Sequence, residues 1–172
     1  MALADVNRDG RADLVVSGLY ADGTHVAVIG GGSLGSGLTP APAAPGFVLS
    51  GAGFAAGVNL AAGDVNGDGY ADLVFGSAFG GSRVLALSGR DLVQTGARTA
   101  LFDFAPAGAG YANGVRVALR DVNGDGRADL LAGSGASSGD RVAEYQWDFS
   151  AGLSLSLDLT VYAGYTGGLN VG

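Results

Sequence analysis

Apolar and polar positions along this chain follow short patterns that Gly-rich segments interrupt. The runs ADLVV, ADLVF and ADLLA are compact, partly β-branched and followed by Gly or Ser, which is typical of buried β-strands. The stretches RVLALSG and LSLSLDLTVY alternate apolar with other residues, which is the period of a half-buried strand. Little of the chain has the spacing of an amphipathic helix. The pattern therefore predicts an all-β protein with many short strands.

These strands recur in the same order in three consecutive segments of about 58 residues each. A first strand follows an aromatic residue and a Gly-containing turn, as in GAGFAAGVNLAAG. The predicted second strands are residues 12–17, 71–76 and 128–133, the third strands are 24–29, 83–88 and 141–147, and the fourth strands lie near 47–50, 98–104 and 153–161. Four short strands per repeat indicate β-propeller blades. We place the repeats at about residues 1–56, 57–113 and 114–172 of one propeller segment, with residues 30–45 as a surface loop.

An acidic nine-residue segment separates the first and second predicted strands of each repeat. It reads DVNRDGRAD from Asp5, DVNGDGYAD from Asp64 and DVNGDGRAD from Asp121, so the copies begin 59 and then 57 positions apart. Calcium is a hard cation that takes roughly six to eight oxygen ligands, and alternating oxygen-bearing side chains can wrap such an ion. Position 6 is always Gly, as a loop that folds back around an ion requires where φ is positive. The repeat therefore predicts three Ca²⁺ sites, one in each repeat.

The predicted ligands of each loop are the side chains at positions 1, 3, 5 and 9 and the backbone carbonyl at position 7. They are Asp5, Asn7, Asp9, Arg11 and Asp13 in the first loop, Asp64, Asn66, Asp68, Tyr70 and Asp72 in the second, and Asp121, Asn123, Asp125, Arg127 and Asp129 in the third. Magnesium fits less well because it prefers small octahedral sites that keep several waters. Zinc and copper are disfavoured because the chain has no Cys and one His.

Two other interpretations of these loops fit the sequence less well. An EF-hand needs a Glu at position 12 and a helix on each side, but position 12 is Val16, Phe75 or Ala132 within a predicted strand. A simple turn would account for one copy, since Asp, Asn and Gly dominate turns. It does not account for three copies with identical carboxylate spacing, whose carboxylates would repel one another without a cation.

The net charge of −7 follows from these loops. They hold nine of the sixteen acidic residues, and the remaining acidic residues are outnumbered by the nine positive side chains, all of which are Arg. The acidic balance therefore indicates metal binding and not a uniformly acidic surface. The chain lacks the basic stripe of a nucleic-acid-binding protein. It also lacks a signal peptide and an apolar run long enough to enter a membrane.

The repeat resembles the FG-GAP repeat of integrin α-subunit propellers and their bacterial relatives. An aromatic residue followed three positions later by Gly occurs at residues 54–57, 111–114 and 165–168, and a degenerate Gly-Ala-Pro element occurs at 17–18, 76–77 and 133–134. The DVNGDGxxDL segment stands between these two halves. The resemblance covers nearly the whole chain and implies a calcium-stabilised β-propeller in which each metal loop joins the first and second strands of a blade. It also implies an extracellular or cell-surface parent protein.

The two ends of the sequence predict how the blades assemble. Residues 165–172 match 54–60 and 111–117 and then stop, and the continuation is what Ala2-Leu3-Ala4-Asp5 supplies at the N-terminus. We therefore expect a fragment of a longer repeat protein, cut within a first strand. Because propellers have roughly four to eight blades, we expect a head-to-tail homodimer that forms a six-bladed ring. Nine-bladed trimers and strand-swapped dimers are the alternatives.

The sequence favours a binding or structural module over an enzyme. The single His, His25, lies in a strand-like run, and the single Glu, Glu144, lies in RVAEYQWD without a catalytic partner that the sequence identifies. The first hypothesis is a calcium-stabilised scaffold whose loops engage a protein or glycan partner. The alternative is a lectin with pockets between blades, for which the candidate aromatic residues are Tyr145, Trp147, Tyr162 and Tyr165. The competing interpretation is that Trp147 and its neighbours pack between blades.

Overall fold

The computed structural model describes residues 1–34, 39–51, 53–106, 111, 113–137, 139–148 and 150–172. Over these residues the chain forms three four-stranded antiparallel sheets, each built from strands that are consecutive in sequence. We refer to the sheets in chain order as blades 1, 2 and 3. The predicted all-β class, with three four-stranded repeats, is confirmed.

The strands of each blade pair in simple up-and-down order. Blade 1 contains β1 (Ala2–Ala4), β2 (Asp13–Tyr20), β3 (Gly23–Ile29) and β4 (Pro42–Leu49). Blade 2 contains β5 (Val58–Gly63), β6 (Asp72–Ser77), β7 (Val84–Leu87) and β8 (Ala100–Phe104). Blade 3 contains β9 (Val115–Arg120), β10 (Asp129–Ser134), β11 (Arg141–Asp148) and β12 (Gly152–Thr160). The acidic loops join the first and second strands of the blades, as the family resemblance implies.

Two details of the sequence prediction were wrong. The segment 30–45 is not one surface loop, because Gly31–Ser33 forms a 3-10 turn and β4 already begins at Pro42; residues 35–38 lie outside the described part. The second detail is a helix between β7 and β8, α1 (Gly89–Thr95), which the strand pattern did not anticipate. Ser88 caps this helix by accepting a hydrogen bond from the Asp91 amide at 3.2 Å, and Gly96 ends it at φ 73°.

The hydrophobic core lies between successive blades. One cluster joins blade 1 to blade 2, and a second joins blade 2 to blade 3. Strand β6 serves both clusters because successive side chains point to opposite faces of a sheet. Leu73 and Phe75 enter the first cluster, whereas Val74 enters the second. This two-sided packing explains why every residue of β6 and β7 is buried.

No helix among the described residues is long and apolar enough to cross a membrane.

Candidate metal centre

Positive φ angles allow each acidic loop to fold back on itself. Position 6 has φ 81°, 86° and 84° at Gly10, Gly69 and Gly126, which confirms the sequence prediction for this position. Position 4 also has positive φ, with Gly67 and Gly124 in the second and third loops and Arg8 at φ 61° in the first. Arg8 therefore holds a backbone conformation that costs a non-Gly residue on the order of 1 kcal/mol.

The side chains at positions 1, 3 and 5 hold the turn of each loop by accepting backbone hydrogen bonds. In the second loop, Asp64 accepts from the amides of Gly67, Asp68 and Gly69 at 2.7, 3.1 and 2.8 Å. Asn66 Oδ1 accepts from the Asp68 amide at 2.9 Å, and Asp68 Oδ1 accepts from the Tyr70 amide at 2.9 Å. The third loop repeats this whole network with Asp121, Asn123 and Asp125, and the first loop repeats its bonds from the amides at positions 5, 6 and 7 with Asp5, Asn7 and Asp9.

The aspartate at position 9 connects the beginning of the loop to the rest of the blade. Asp72 is fully buried, and its Oδ2 accepts from the amides of Val65 and Asn66 at 3.0 and 3.4 Å. Its Oδ1 accepts from the Gly89 amide at 3.0 Å, which ties the loop to the first residue of α1. In blade 1, Asp13 makes the matching bonds to Val6, Asn7 and Gly31. In blade 3, Asp129 accepts from Val122 and Asn123.

The electrostatics of the second loop favour a cation. Burial raises the pKa of Asp72 to about 7, because the low-dielectric interior disfavours its charged form; the amides of Gly89 and Val65 oppose the rise, whereas the Asp68 and Asp64 carboxylates add to it. A bound cation would relieve the part of the rise that the Asp64 and Asp68 carboxylates cause. In the third loop, the Arg127 amide is the main group that holds the pKa of exposed Asp125 below its usual value.

The donor set fits calcium, although the carboxylates do not converge. Among the described residues, no three His, Cys, Asp or Glu side chains form a metal-binding cluster. The predicted ligands lie together within each loop, and their carboxylate oxygens accept amide hydrogen bonds while retaining further lone pairs. Carboxylate, amide and carbonyl oxygens are the ligands that calcium prefers. Ion binding would therefore draw the carboxylates at positions 1, 5 and 9 together with the Asn side chain and the position-7 carbonyl.

Neighbouring loops contact one another along one rim of the blades. The Ala71 amide donates to the Asp5 carbonyl at 3.0 Å, and the Ala128 amide repeats this bond with the Asp64 carbonyl at 2.8 Å. The Arg8 guanidinium lies over the Tyr70 ring, 5.7 Å from its centroid. Each loop therefore supports the next one, and its position-1 backbone is part of the blade interface.

The sequence analysis missed two features of these loops. The first is the valine at position 2, because Val6 and Val65 are core residues at the blade interfaces; its recurrence in DVN was the available signal. The second is the amide partner of the position-9 aspartate at Gly31 or Gly89. The Ser88-x-x-Asp91 capping pattern and Gly96 would have located α1 and, with it, the Gly89 amide.

The other candidate residues lie away from the loops. His25 hydrogen-bonds Asp22 at 2.7 Å and packs against the Tyr20 ring. Glu144 is buried and accepts from Gln146 Nε2 at 2.9 Å. Tyr145 and Trp147 pack on Phe104 and Phe102 between blades 2 and 3, whereas Tyr162 and Tyr165 are exposed and contact each other edge to face.

Family comparisons agree with this repeat architecture. A model described as an FG-GAP-like repeat matches residues 5–75, and a model described as an FG-GAP repeat matches residues 56–97 and 113–145. No curated protein matches the chain at a significant level. The matched segments together include all three acidic loops and cover well over half of the sequence. The chain belongs to the FG-GAP repeat family.

Proposed function

We propose that this protein is a calcium-binding, non-catalytic β-propeller module that acts as a structural and binding scaffold. The observation that carries the proposal is the threefold recurrence of one acidic loop in one structural setting, between the first and second strands of each blade. Three loops with the same oxygen donors at the same positions support three equivalent hard-cation sites. In the second loop, beyond the effect of burial, the Asp64 and Asp68 carboxylates lie close enough to Asp72 to raise its pKa, and a cation would relieve this repulsion.

The number of bound ions tests the proposal. Equilibrium dialysis of the metal-stripped chain against calcium is expected to reach three ions per chain, because each loop offers one set of ligands. Asp64→Ala is expected to lower the number to two, since it removes a carboxylate from the second loop alone. Asp103→Ala is the matched control, because Asp103 lies outside the loops and pairs with Arg83. No binding in millimolar calcium would contradict the proposal.

We further propose that two copies assemble head to tail into a closed six-bladed ring. Three blades fall short of the roughly four blades of the smallest typical propellers. A heterologous contact between the free faces of blades 1 and 3 closes into a ring when the rotation between copies permits it. The ring would present its acidic loops along one rim, where a protein or glycan partner could contact them.

The family supports a non-catalytic, extracellular assignment. FG-GAP repeats are typical of extracellular proteins, and the family is typically non-catalytic. Loops with three carboxylates and no bidentate Glu suggest modest calcium affinity, which suits the higher calcium concentration outside cells. We therefore propose that this module functions outside the cell or at the cell surface.

A lectin is a second candidate, favoured by the exposed pair Tyr162 and Tyr165. Aromatic faces of this kind can stack on sugar rings, whereas Tyr145 and Trp147 are engaged in the core between blades. On a glycan array, Tyr165→Ala is expected to abolish any binding that wild type shows, while Tyr20→Ala, a change at another exposed tyrosine, is expected to retain it. Wild type that binds no glycan would exclude the lectin candidate.

A further inference from the structure

Two largely apolar sheet faces have no neighbouring blade packed on them within the described part of the chain. The head face is the side of blade 1 that points away from blade 2, and the tail face is the side of blade 3 that points away from blade 2. The head face contains Leu14, Val16, Ala27 and Ile29. The tail face contains the apolar residues Val122, Leu131, Val142, Leu157 and Leu159, and the pair Glu144 and Gln146 lies on the same side of β11.

The strand registers identify what covers the head face. Leu14 pairs with Ile29 and Val16 pairs with Ala27, just as Leu73 pairs with Leu87 and Phe75 with Leu85 in blade 2. The blade 2 residues are buried against blade 1, and their counterparts in blade 3 are buried against blade 2. In blades 2 and 3, the surface equivalent to the head face contacts the preceding blade. The head face of blade 1 is therefore the surface that a preceding blade would cover.

The tail face has the matching character. Leu131 and Val142 occupy the places of Val74 and Val84, which blade 2 buries against blade 3. The loop valine gives the sharpest comparison: Val6 and Val65 are 0% and 1% exposed beneath the following blade, whereas Val122 is 52% exposed. The tail face is therefore the surface on which a following blade sits.

Backbone groups at the rim extend this complementarity. The amide at loop position 8 donates to the preceding position-1 carbonyl at both existing interfaces, from Ala71 to Asp5 and from Ala128 to Asp64. Over the described ranges, neither the Ala12 amide nor the Asp121 carbonyl has such a partner. The Ala12 amide is a donor on the head side and the Asp121 carbonyl is an acceptor on the tail side, so the two groups can form the same hydrogen bond between copies.

The side chains at the rims of the head and tail faces are also complementary in shape. The Arg127 side chain lies so close to Gly67 that a Cβ there would come within 3.1 Å of Arg127 Cγ. Gly124 is the counterpart of Gly67 on the tail side, and a Cβ built on it meets nothing within 4 Å. Arg11 is the counterpart of Arg127 on the head side. A head face packed on the tail face would therefore place Arg11 over Gly124, as Arg127 lies over Gly67.

Residues 169–171 occupy the position on blade 3 that the first strand of a following blade would take. The Leu169 amide donates to the Ser134 carbonyl at 2.9 Å, and a Cβ on Gly133 would meet Leu169 O at 2.6 Å and Val171 Cγ1 at 3.0 Å. A Cβ on Gly76 would meet Val115 O and Val117 Cγ1 in the same way, at 2.3 and 3.0 Å. The segment thus lies on blade 3 as the start of β9 lies on blade 2.

The geometry points to one occupant of the tail face: the head face of a second copy of this chain. Apolar residues of one copy's tail face pack on apolar residues of the next copy's head face: Val122, Leu131 and Leu159 on Leu14, Val16 and Ala27. The Ala12 amide of the head face donates a hydrogen bond to the Asp121 carbonyl of the tail face. Arg11 of the head face lies over Gly124 of the tail face. Leu159 takes the place of Phe47, which packs on Phe75 in the first interface, and a hollow of about 460 Å³ beside Val16 and Ala27 can receive it. This inference deepens the proposed head-to-tail assembly and rests on it.

A mixing experiment tests the inference. Ala27→Arg places a charge on the exposed head face, and Leu159→Arg places one on the exposed tail face. Wild type in calcium is expected to sediment as two chains of 16.8 kDa each, and either variant alone as one chain. A one-to-one mixture is expected to restore a two-chain species joined by one contact, between the intact tail face of the Ala27→Arg chain and the intact head face of the Leu159→Arg chain. Leu19→Arg and Leu155→Arg are the matched controls, since these exposed residues lie on the opposite sides of their sheets.

The outcomes separate this inference from calcium binding. If wild type sediments as a monomer, a second copy does not occupy the tail face. If the one-to-one mixture of variants stays monomeric, the contact does not join a head face to a tail face. Association of either variant alone indicates a contact between like faces, which also overturns this inference. A three-chain wild-type species that both variants abolish supports the interface but contradicts the six-bladed ring. Calcium stoichiometry measured on the same samples reports on the metal sites independently.

Discussion

Removing calcium with EGTA is expected to lower the apparent Tm of this protein by about 5–10 °C for each loop that had been occupied. A ligand that binds only the folded state stabilises it by about 2.7 kcal/mol when its concentration is 100 times its Kd. For a chain of this size, each kcal/mol corresponds to roughly 2–4 °C. Calcium would add this stability by offsetting two of the three negative charges in each loop and by fixing the turn between the first two strands of each blade.

Scanning calorimetry in EGTA and in millimolar calcium makes the measurement. Adding magnesium in place of calcium controls for general screening by divalent ions, and it is expected to restore only a small part of the shift. The triple variant Asp5→Ala, Asp64→Ala and Asp121→Ala is expected to unfold at the same temperature with and without calcium. A wild-type transition that EGTA leaves unchanged would rule out a structural role for the metal.

Asp72→Ala is expected to lower the free energy of unfolding by about 3–5 kcal/mol, even when calcium is absent. The substitution removes the acceptor of three amide hydrogen bonds, from Val65, Asn66 and Gly89, at a fully buried position. Each buried donor left without a partner costs about 1–3 kcal/mol. The loss also separates the second acidic loop from α1. Urea unfolding followed by circular dichroism measures the change.

Substitutions of two other aspartates serve as comparisons for Asp72→Ala. Asp129→Ala is expected to cost less, because the loop that Asp129 holds is exposed around Val122. Asp22→Ala removes an exposed carboxylate that bonds only the His25 ring among the described contacts, so its effect is expected to stay within about 0.5 kcal/mol. Equal effects for Asp72 and Asp22 would show that Asp72 does not hold the loop to the blade.

Local patterns in the sequence were sufficient to predict much of the fold. Strand β6 follows the second acidic loop and ends at the next Gly-Ser, where the apolar run also ends. The glycines at position 6 have the positive φ that their invariance in the loops predicted. These features could be predicted because they depend on residues that are close in sequence and repeat three times.

Other features depend on contacts between distant residues. Strand β4 begins at Pro42 because Pro42 and Ala44 pair with Ile29 and Val28, although prolines and small residues resemble a loop in the sequence. The role of Asp72 as an acceptor for Gly89 joins groups 17 positions apart. The aromatic residues Tyr145 and Trp147 resemble a ligand-binding pair until Phe104 and Phe102 from blade 2 are seen to pack on them. A single sequence contains no local signal for such contacts.

The most direct test is an anomalous difference map from a crystal grown in millimolar calcium. Calcium binding by the loops predicts one peak inside each acidic loop, with carboxylate, Asn and position-7 carbonyl oxygens at roughly 2.3–2.6 Å from it. Three such peaks would mean that each loop has drawn its carboxylates around an ion. Loops without a peak, or peaks bound elsewhere on the blades, would contradict calcium binding by this repeat.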